Sequence, residues 1–579
     1  MPPVELSDEQ AKILLATTRV GEAGPGSGKT RALVQRYLQA AEATTSGVAL
    51  LSFTNAAVDE VRRRAGPSPR FLRAPHFVGT IDSFLHRFIV TPAEVPRLGR
   101  LPVYRASWDD LAGEFTAVRL GHLAGTGLPL SSFRLIQPNV VVLSESSLSW
   151  QERNYLTQVD ATGKRQQLLN MARARILGLN GTGIYDANTA RVKAFSVLNG
   201  ATGDGIVSRL TNRFSALLVD EAQDCDDAEM GIIRRLSSGL EVTIVADPDQ
   251  AIYEFRGSKP ELFLAYRDEQ REGDRCYLST NYRSSDSICR TIDSLRAAGG
   301  SPIEAADKGE CPEVLVLCGT PAEQRHKFLD ALNEHGIEHD QAIVLAHSWL
   351  DAAAVTGSTA PEGTSTAIGN RLAAAIRVLA IDPSTARRLE AVQRIERIIL
   401  SLITWEVEVR KAGRERQLEV AMQRPDWLRL AAGKVVSRLR EVDNRDHFGV
   451  TARAVLAEIL DPLPLDHAAL GDRVKKPDLA VWARCVQADV APPGLPCSTV
   501  HAAKGAEFEA VLVALPNVLR TLNNRTVLDD WAAGFNTEPR RVLYVAASRA
   551  KKLLAFGAGT HQARIVALLT AANVPNTCR

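Results

Sequence analysis

No run of about 18 apolar residues occurs anywhere in this chain of 579 residues, so nothing in it reads as a transmembrane helix. Its opening, Met1-Pro2-Pro3-Val4-Glu5-Leu6-Ser7-Asp8-Glu9-Gln10, lacks the basic stretch followed by an apolar one that marks a secretory leader. A cytoplasmic location with no membrane partner is expected. Cysteine is sparse: 8 are scattered with no C-x-x-C pair, which excludes the usual zinc and iron–sulfur spacings and leaves reduced packing residues. Neither sign of charge prevails, since 69 Lys and Arg face 67 Asp and Glu for a net charge of +2. That balance neither demands nor forbids a nucleic acid, because a basic channel can be offset by acidic surface elsewhere. Two basic runs, Arg62-Arg63-Arg64 and Arg410-Lys411-Ala412-Gly413-Arg414-Glu415-Arg416, are of the kind that solvated helix faces produce more often than phosphate contacts. There is no internal repeat and no long low-complexity tract. With 45% hydrophobic residues the chain can fill three or four cores, at about 100–200 residues per domain.

What is present begins with Ala23-Gly24-Pro25-Gly26-Ser27-Gly28-Lys29-Thr30, a glycine-rich turn between an apolar or small run, Ile13 to Val20, and the helically spaced Arg31 to Leu38. Backbone N–H groups at such a helix start ring an anion, with Lys29 reaching β- and γ-phosphates and Thr30 ligating Mg²⁺. Ala23 stands where the pattern usually has its first glycine and is small enough for the turn. A second signal is the short apolar run Phe214 to Val219, which ends in Asp220-Glu221-Ala222-Gln223-Asp224. Carboxylates at the C-terminal end of a buried strand sit where ligands bind in open α/β sheets. There Asp220 is suited to hold Mg²⁺ and Glu221 to orient and deprotonate a water attacking the γ-phosphate. A third strand pattern, Val242 to Ala246, leads into Asp247-Pro248-Asp249-Gln250-Ala251-Ile252-Tyr253-Glu254-Phe255-Arg256-Gly257, with Gln250 placed to sense that phosphate. Further strings are Leu278 to Ser284, Thr499 to Phe508 and Arg540 to Ala550.

In this order, from Gln10 to Arg549, the strings resemble superfamily 1 helicases of the UvrD/Rep type, to which the RecB and AddA helicase domains also belong. The resemblance implies an α/β fold with two RecA-like P-loop domains of parallel strands, 1A and 2A. Each carries a mainly helical inserted subdomain, 1B and 2B, and ATP lies between 1A and 2A. It places 1A at 1–95 and 205–258, 1B at 96–204, 2A at 259–350 and 495–579, and 2B at 351–494. Helical spacing in Arg387 to Leu400 suits the second insert, and the Gly-, Ser-, Thr- and Ala-rich stretch Ala353 to Thr366 reads as the linker entering it. By resemblance Gln10 reads the adenine, Tyr282 stacks on it, Gly24 to Arg31 hold the phosphates and Glu507 contacts the ribose. Arg283 and Arg549 look like the arginines that stabilise transition-state charge. Phe53, Thr54, Asn55, Thr80, Tyr253 and Phe255 match positions facing a DNA strand; aromatics there stack on bases without sequence preference. The implied activity is ATP-dependent, Mg²⁺-requiring 3′ to 5′ movement on single-stranded, tailed or duplex DNA.

Three positions depart from the family pattern: Ala56 where relatives usually carry lysine, Asp82 where they carry histidine, and Phe255 where they carry tryptophan. The chain ends about 30 residues after Arg549, so the nuclease domain of RecB or AddA is expected to be missing. Compactness and Asp82 resemble the smaller UvrD-like proteins of bacterial defence operons, such as the helicase-like subunit of Gabija systems. That narrower resemblance implies a sensor of DNA ends working with a separate nuclease. A P-loop kinase or small-molecule NTPase would share residues 23–30 but leaves Gln250, Tyr282, Arg283, Glu507 and Arg549 unexplained.

Overall fold

The computed structural model describes residues 6–53, 59–61, 63, 69–110, 117–121, 123, 127–145, 148, 150–297, 300–356, 367–381, 385–406, 409, 414–424, 426–479, 481–482, 495–516, 518–519 and 524–579. Strands β1 (Val20–Ala23), β2 (Gly47–Ser52), β3 (Phe77–Thr80), β4 (Phe214–Val219), β5 (Glu241–Ala246) and β6 (Arg275–Leu278) form one sheet in the order β6-β1-β5-β4-β2-β3. Every neighbouring pair in it is parallel. The strands are short continuous apolar runs because both faces are covered by helices. Alternate side chains supply the two layers: Ala49, Leu51, Leu217 and Val219 enter one core, while Val48, Leu50, Ala216 and Leu218 enter the other. Each large aliphatic buried in this way contributes about 1.5–3 kcal/mol relative to exposure.

A second parallel sheet repeats the design with β7 (Val314–Leu317), β8 (Ala342–Ala346), β9 (Cys497–Thr499), β10 (Phe508–Ala514), β11 (Ala550–Gly557) and β12 (Asn576–Cys578). Its order is β9-β8-β10-β11-β7-β12, and all five pairings are parallel. Val314, Val316, Ile343 and Leu345 face one core, and Leu315, Leu317, Ala342 and Val344 the other.

Both sheets are interrupted by inserts with their own cores. The first packs Trp108, Leu128, Phe133, Leu135, Leu168 and Ile176 together; besides the helices Trp150–Ala161 and Arg165–Gly181 it carries the antiparallel hairpin Phe133–Gln137/Val140–Leu143. The second is helical and centres on Leu372, Ile395, Ile398, Leu428, Val435 and Leu456.

Three expected boundaries shift. The helix Pro260–Glu269 puts Phe263 and Tyr266 into the first core, and β6 pairs with β1, so the first domain runs on to Leu278 rather than stopping at 258. The helix Ala187–Leu198 puts Ala190, Ala194 and Leu198 into that same core, so the chain rejoins the first domain before 205. Ala353–Thr356 belong to the helix Trp349–Thr356, whose Ala352 and Val355 pack in the second domain; the expected linker therefore does not begin at 353, and 357–366 lie outside the described residues. In each case a short segment joins the sheet or its core: β6 pairs beside β1, and the helices bury apolar side chains in the adjoining cores.

Candidate nucleotide site and inter-domain cleft

The loop after β1 turns sharply because two glycines take left-handed backbone: Gly26 has φ +68° and Gly28 +78°. A Cβ at Gly26 would lie 2.4 Å from Asn281 Oδ1, and one at Gly28 2.6 Å from Gln10 Nε2. Gly28 caps the helix Lys29–Ala43, leaving the first N–H groups of a 15-residue helix aimed at the loop. The buried Ser27 hydroxyl donates to Gly24 O at 2.7 Å and closes the turn. Ala23, at the end of β1, is buried, and the N–H of Gly24 donates to Leu278 O at 2.9 Å. Pro25 follows directly, and Arg31 lies on the exposed side of the helix.

Lys29 Nζ lies 3.3 Å from Glu221 Oε1, and Thr30 Oγ1 donates to Asp220 Oδ2 at 2.7 Å. Thr30 and Asp220, each expected at the metal, are thus in direct contact at the C-terminal ends of β1 and β4. Glu221 has φ +57°, a backbone state unusual for a glutamate, which turns its carboxylate back toward Lys29. Burial pushes the Glu221 carboxyl up, but Lys29 and Lys504 more than offset this and hold it below the usual carboxylate range. Burial and the adjacent Glu221 charge instead raise the Asp220 carboxyl.

These residues fit a Mg²⁺-nucleotide: the loop turns at two left-handed glycines that Asn281 and Gln10 approach too closely for any Cβ, and a cation, a hydroxyl and two carboxylates stand at its end. Among the described residues no group of three or more His, Cys, Asp or Glu could hold a metal by itself. Mg²⁺ is commonly bound by one or two protein oxygens plus phosphates.

The second domain closes this site. Gln250 Nε2 donates to Asp247 Oδ2 at 2.8 Å, and Arg549 Nη2 donates to Gln250 Oε1 at 3.2 Å. Arg549 is buried; desolvation and the nearby Arg283 lower its pKa to about 10. Arg283 donates to Ser548 O at 3.1 Å and forms a close ion pair with Glu507, so both expected arginines and the expected ribose carboxylate share one cluster. Tyr282 is exposed, and its N–H donates to Gly26 O at 3.0 Å, which sets an open aromatic face beside the loop. Gln10 is buried, with Nε2 donating to Ser27 O at 2.8 Å and Oε1 accepting from Ser7 N at 3.3 Å.

The expected DNA positions are less uniform. Phe53 is only partly buried but packs against the first core. The Thr80 hydroxyl caps the helix Ile81–Leu85, accepting from Ser83 N at 3.2 Å. Tyr253 lies half-buried in the cleft and donates to His501 O at 3.4 Å. Phe255 belongs to the turn Glu254–Arg256, while its side chain, like Thr54, Asn55 and Ala56 entirely, lies outside the described residues. Just beyond, Arg134 from the first insert lies so close to Gly257 that a Cβ there would meet its Nη1 at 2.3 Å.

Several site residues were given no role by sequence reasoning. Lys504 Nζ donates to Asp224 Oδ2 at 2.6 Å, to Asp224 Oδ1 at 2.8 Å and to Gln250 O at 2.9 Å. Tyr544 donates to Asp247 Oδ2 at 3.0 Å, and buried Arg540 pairs with Asp249. Arg296 joins that network through Asp249 Oδ2 at 3.1 Å and Glu22 Oε1 at 3.3 Å. An excess of buried acids after β4 and β5 was the available signal, because buried carboxylates need cations from somewhere. Asp82, the departure from histidine, receives two hydrogen bonds from Arg191, at 2.8 and 3.0 Å.

Fold and site together define a P-loop nucleotide-binding protein with two parallel α/β domains facing one cleft. A family model for the UvrD/REP helicase N-terminal domain matches residues 6–271, and one for the UvrD-like helicase C-terminal domain matches 485–559. The chain is 25% identical over 325 residues to DNA helicase II of Escherichia coli (strain K12), an alignment covering 50% of this chain and 40% of that protein. It is 28% identical over 305 residues to ATP-dependent DNA helicase UvrD1 of Mycobacterium tuberculosis (strain ATCC 25618 / H37Rv), covering 48% and 37%. With ATP-dependent DNA helicase Rep of Salmonella typhimurium it shares 26% over 347 residues, covering 57% and 47%. The matched part thus spans less than half the length of these relatives. The chain belongs to the UvrD/Rep-type superfamily 1 helicase family. No helix among the described residues is long and apolar enough to cross a membrane.

Proposed function

We propose that the protein is an ATP-dependent DNA helicase or translocase that moves 3′ to 5′ along a single strand. The observation that carries this reading is the convergence of Lys29, Thr30, Asp220, Glu221, Gln250, Arg283 and Arg549 from two domains on one cleft. Thr30 and Asp220 would hold Mg²⁺, which supplies charge neutralisation at the β- and γ-phosphates. Lys29 leaves Glu221 for the phosphate oxygens, and Glu221, released, orients and deprotonates water. Arg283 and Arg549 spread the developing charge, while Gln250 reports the state of the γ-phosphate to Arg549. Tyr282 offers the adenine its face. Closure and reopening of the cleft then shift a strand past Tyr253.

The test is ATP hydrolysis by the purified chain without nucleic acid, with single-stranded DNA, with blunt duplex, and with duplexes bearing a 3′ or a 5′ tail, beside Lys29→Ala. Stimulation by single strands and by the 3′ tail, abolished in Lys29→Ala, is the expected result. Hydrolysis indifferent to every DNA would overturn the reading.

A further inference from the structure

We infer that Lys504 is a positioning residue that couples base stacking on Tyr253 to the geometry of the turn carrying Glu221. This rests on the function proposed above and adds the link between its two halves. Lys504 sits in the second domain, between β9 and β10, yet all three of its hydrogen bonds go to the first: two to Asp224 and one to the Gln250 carbonyl. Its side chain is 5% exposed and that of Asp224 2%, so the pair is shut off from water and geometrically fixed. An ammonium has three protons to donate, and here each has an acceptor.

Each acceptor belongs to a different working part. Asp224 ends the turn Ala222–Asp224, and its N–H donates to the Glu221 carbonyl at 3.0 Å, so the position of Lys504 bears on the backbone that aims Glu221. Gln250 holds Arg549 and Asp247 through its side-chain amide. The third contact is with an aromatic face: Lys504 Nζ lies 4.6 Å from the Tyr253 ring centroid, within cation–π range. Tyr253 is also tied by its hydroxyl to the carbonyl of His501, on the same loop as Lys504. One loop of the second domain therefore grips the stacking platform at its face and its hydroxyl, and grips the hydrolytic turn through Asp224.

Two consequences follow from elementary electrostatics. Separation of the domains exchanges this ion pair and its three hydrogen bonds for water, so the Lys504–Asp224 contact belongs to the closed cleft and reports its geometry. A base laid on Tyr253 adds a second π-system beside the ammonium and holds ring and loop in place. The bound strand thereby favours the closed arrangement in which Glu221 and Arg549 face the same phosphate.

The test measures the fold stimulation of ATP hydrolysis by an oligothymidylate single strand in the full chain, in Lys504→Met, in Lys504→Arg, and in each with Tyr253→Leu. Lys504→Met is expected to lower the stimulation by about tenfold, within the coupling range of contacting residues. Lys504→Arg, which keeps the charge, retains most of it, and Tyr253→Leu adds little further loss in the Lys504→Met background. A Lys504→Met protein that responds to the oligonucleotide like its parent overturns the inference. So does an equal fall of stimulated and unstimulated rates with a lowered melting temperature, which marks a merely structural pair. A parent that hydrolyses ATP without responding to the strand overturns the proposed function and this inference with it.

Discussion

Arg549 reaches Gln250 across the cleft, Nη2 to Oε1 at 3.2 Å, while the other end of the same amide holds Asp247 at 2.8 Å. A neutral side chain thus stands between a buried cation of one domain and a buried anion of the other, and it can be rearranged by a new anion without stranding either charge.

Removing the cation should therefore be costly to turnover. Arg549→Ala is expected to lower kcat by about 10³–10⁵, the range seen for arginines that stabilise phosphoryl-transfer charge. Arg549→Lys should recover little of that loss, since a point charge cannot reproduce the planar fork. Single-turnover hydrolysis in the presence of single-stranded DNA checks both.

Glu221→Gln keeps the shape and removes the base. Turnover should fall by about 10²–10⁴ with nucleotide binding retained, because Lys29 no longer has a carboxylate competing with phosphate. A fluorescent ATP analogue reports binding and phosphate release reports turnover; unchanged hydrolysis removes Glu221 from its role.

Gly26→Ala places a Cβ at φ +68° and 2.4 Å from Asn281 Oδ1. A loss of about 1–2 kcal/mol from the left-handed backbone is expected, together with displacement of the loop. The thermal shift produced by Mg²⁺-ATP should shrink or vanish in this variant, while Gly433→Ala, where a Cβ meets nothing within 4 Å, should leave it intact.

Arg191 is the hub joining Asp82, Glu229 at 3.1 Å and Asp226 at 3.8 Å. Arg191→Met leaves buried Glu229, whose carboxyl burial already pushes well up, without its cation, and about 3–5 kcal/mol of stability should be lost. Asp82→His loses the two hydrogen bonds from Arg191. Denaturant melts of the single and double variants should show strong coupling between positions 82 and 191.

Acid should weaken the cleft through His501. Burial, with the charges of His347, Lys504 and Arg256 around it, lowers its pKa to about 4 from 6.5. The folded state resists protonation that the unfolded chain accepts, so stability is fully present above pH 6.5 and declines as pH falls toward 4. About 2 kcal/mol is expected from this group after allowing for partial exposure. His501→Gln should flatten the melting temperature between pH 7 and pH 5.

The parts of the site proposed to bind phosphate were legible because each depends on a local rule. Gly26 and Gly28 are needed for backbone shape, Lys29 and Thr30 follow them at fixed spacing, and Asp220 and Glu221 end an unmistakable buried strand. Long-range pairs were not legible in this way. Nothing in the string around Lys504 indicates that its partner is Asp224, because the two meet only when the domains face each other. Arg191 and Asp82 are equally remote in sequence, so nothing near Asp82 showed that it is half of an ion pair. The domain ends slipped for a related reason: β6 is only four residues long and gains its identity from pairing with β1. Phe53 shows the opposite case, an aromatic whose family position is clear but whose ring leans on the core.

The sheet order carries a consequence for the making of the protein. Val20 in β1 has Ile244 and Arg275 as its lateral neighbours, and no earlier strand pairs with β1. On a ribosome the N-terminal strand therefore waits, apolar and unpaired, until more than two hundred further residues have emerged. Such high contact order slows folding and exposes strand edges to wrong partners. Synthesis of this chain is thus a period of vulnerability, and removal of β5 or β6 should yield aggregates in preference to a smaller folded domain.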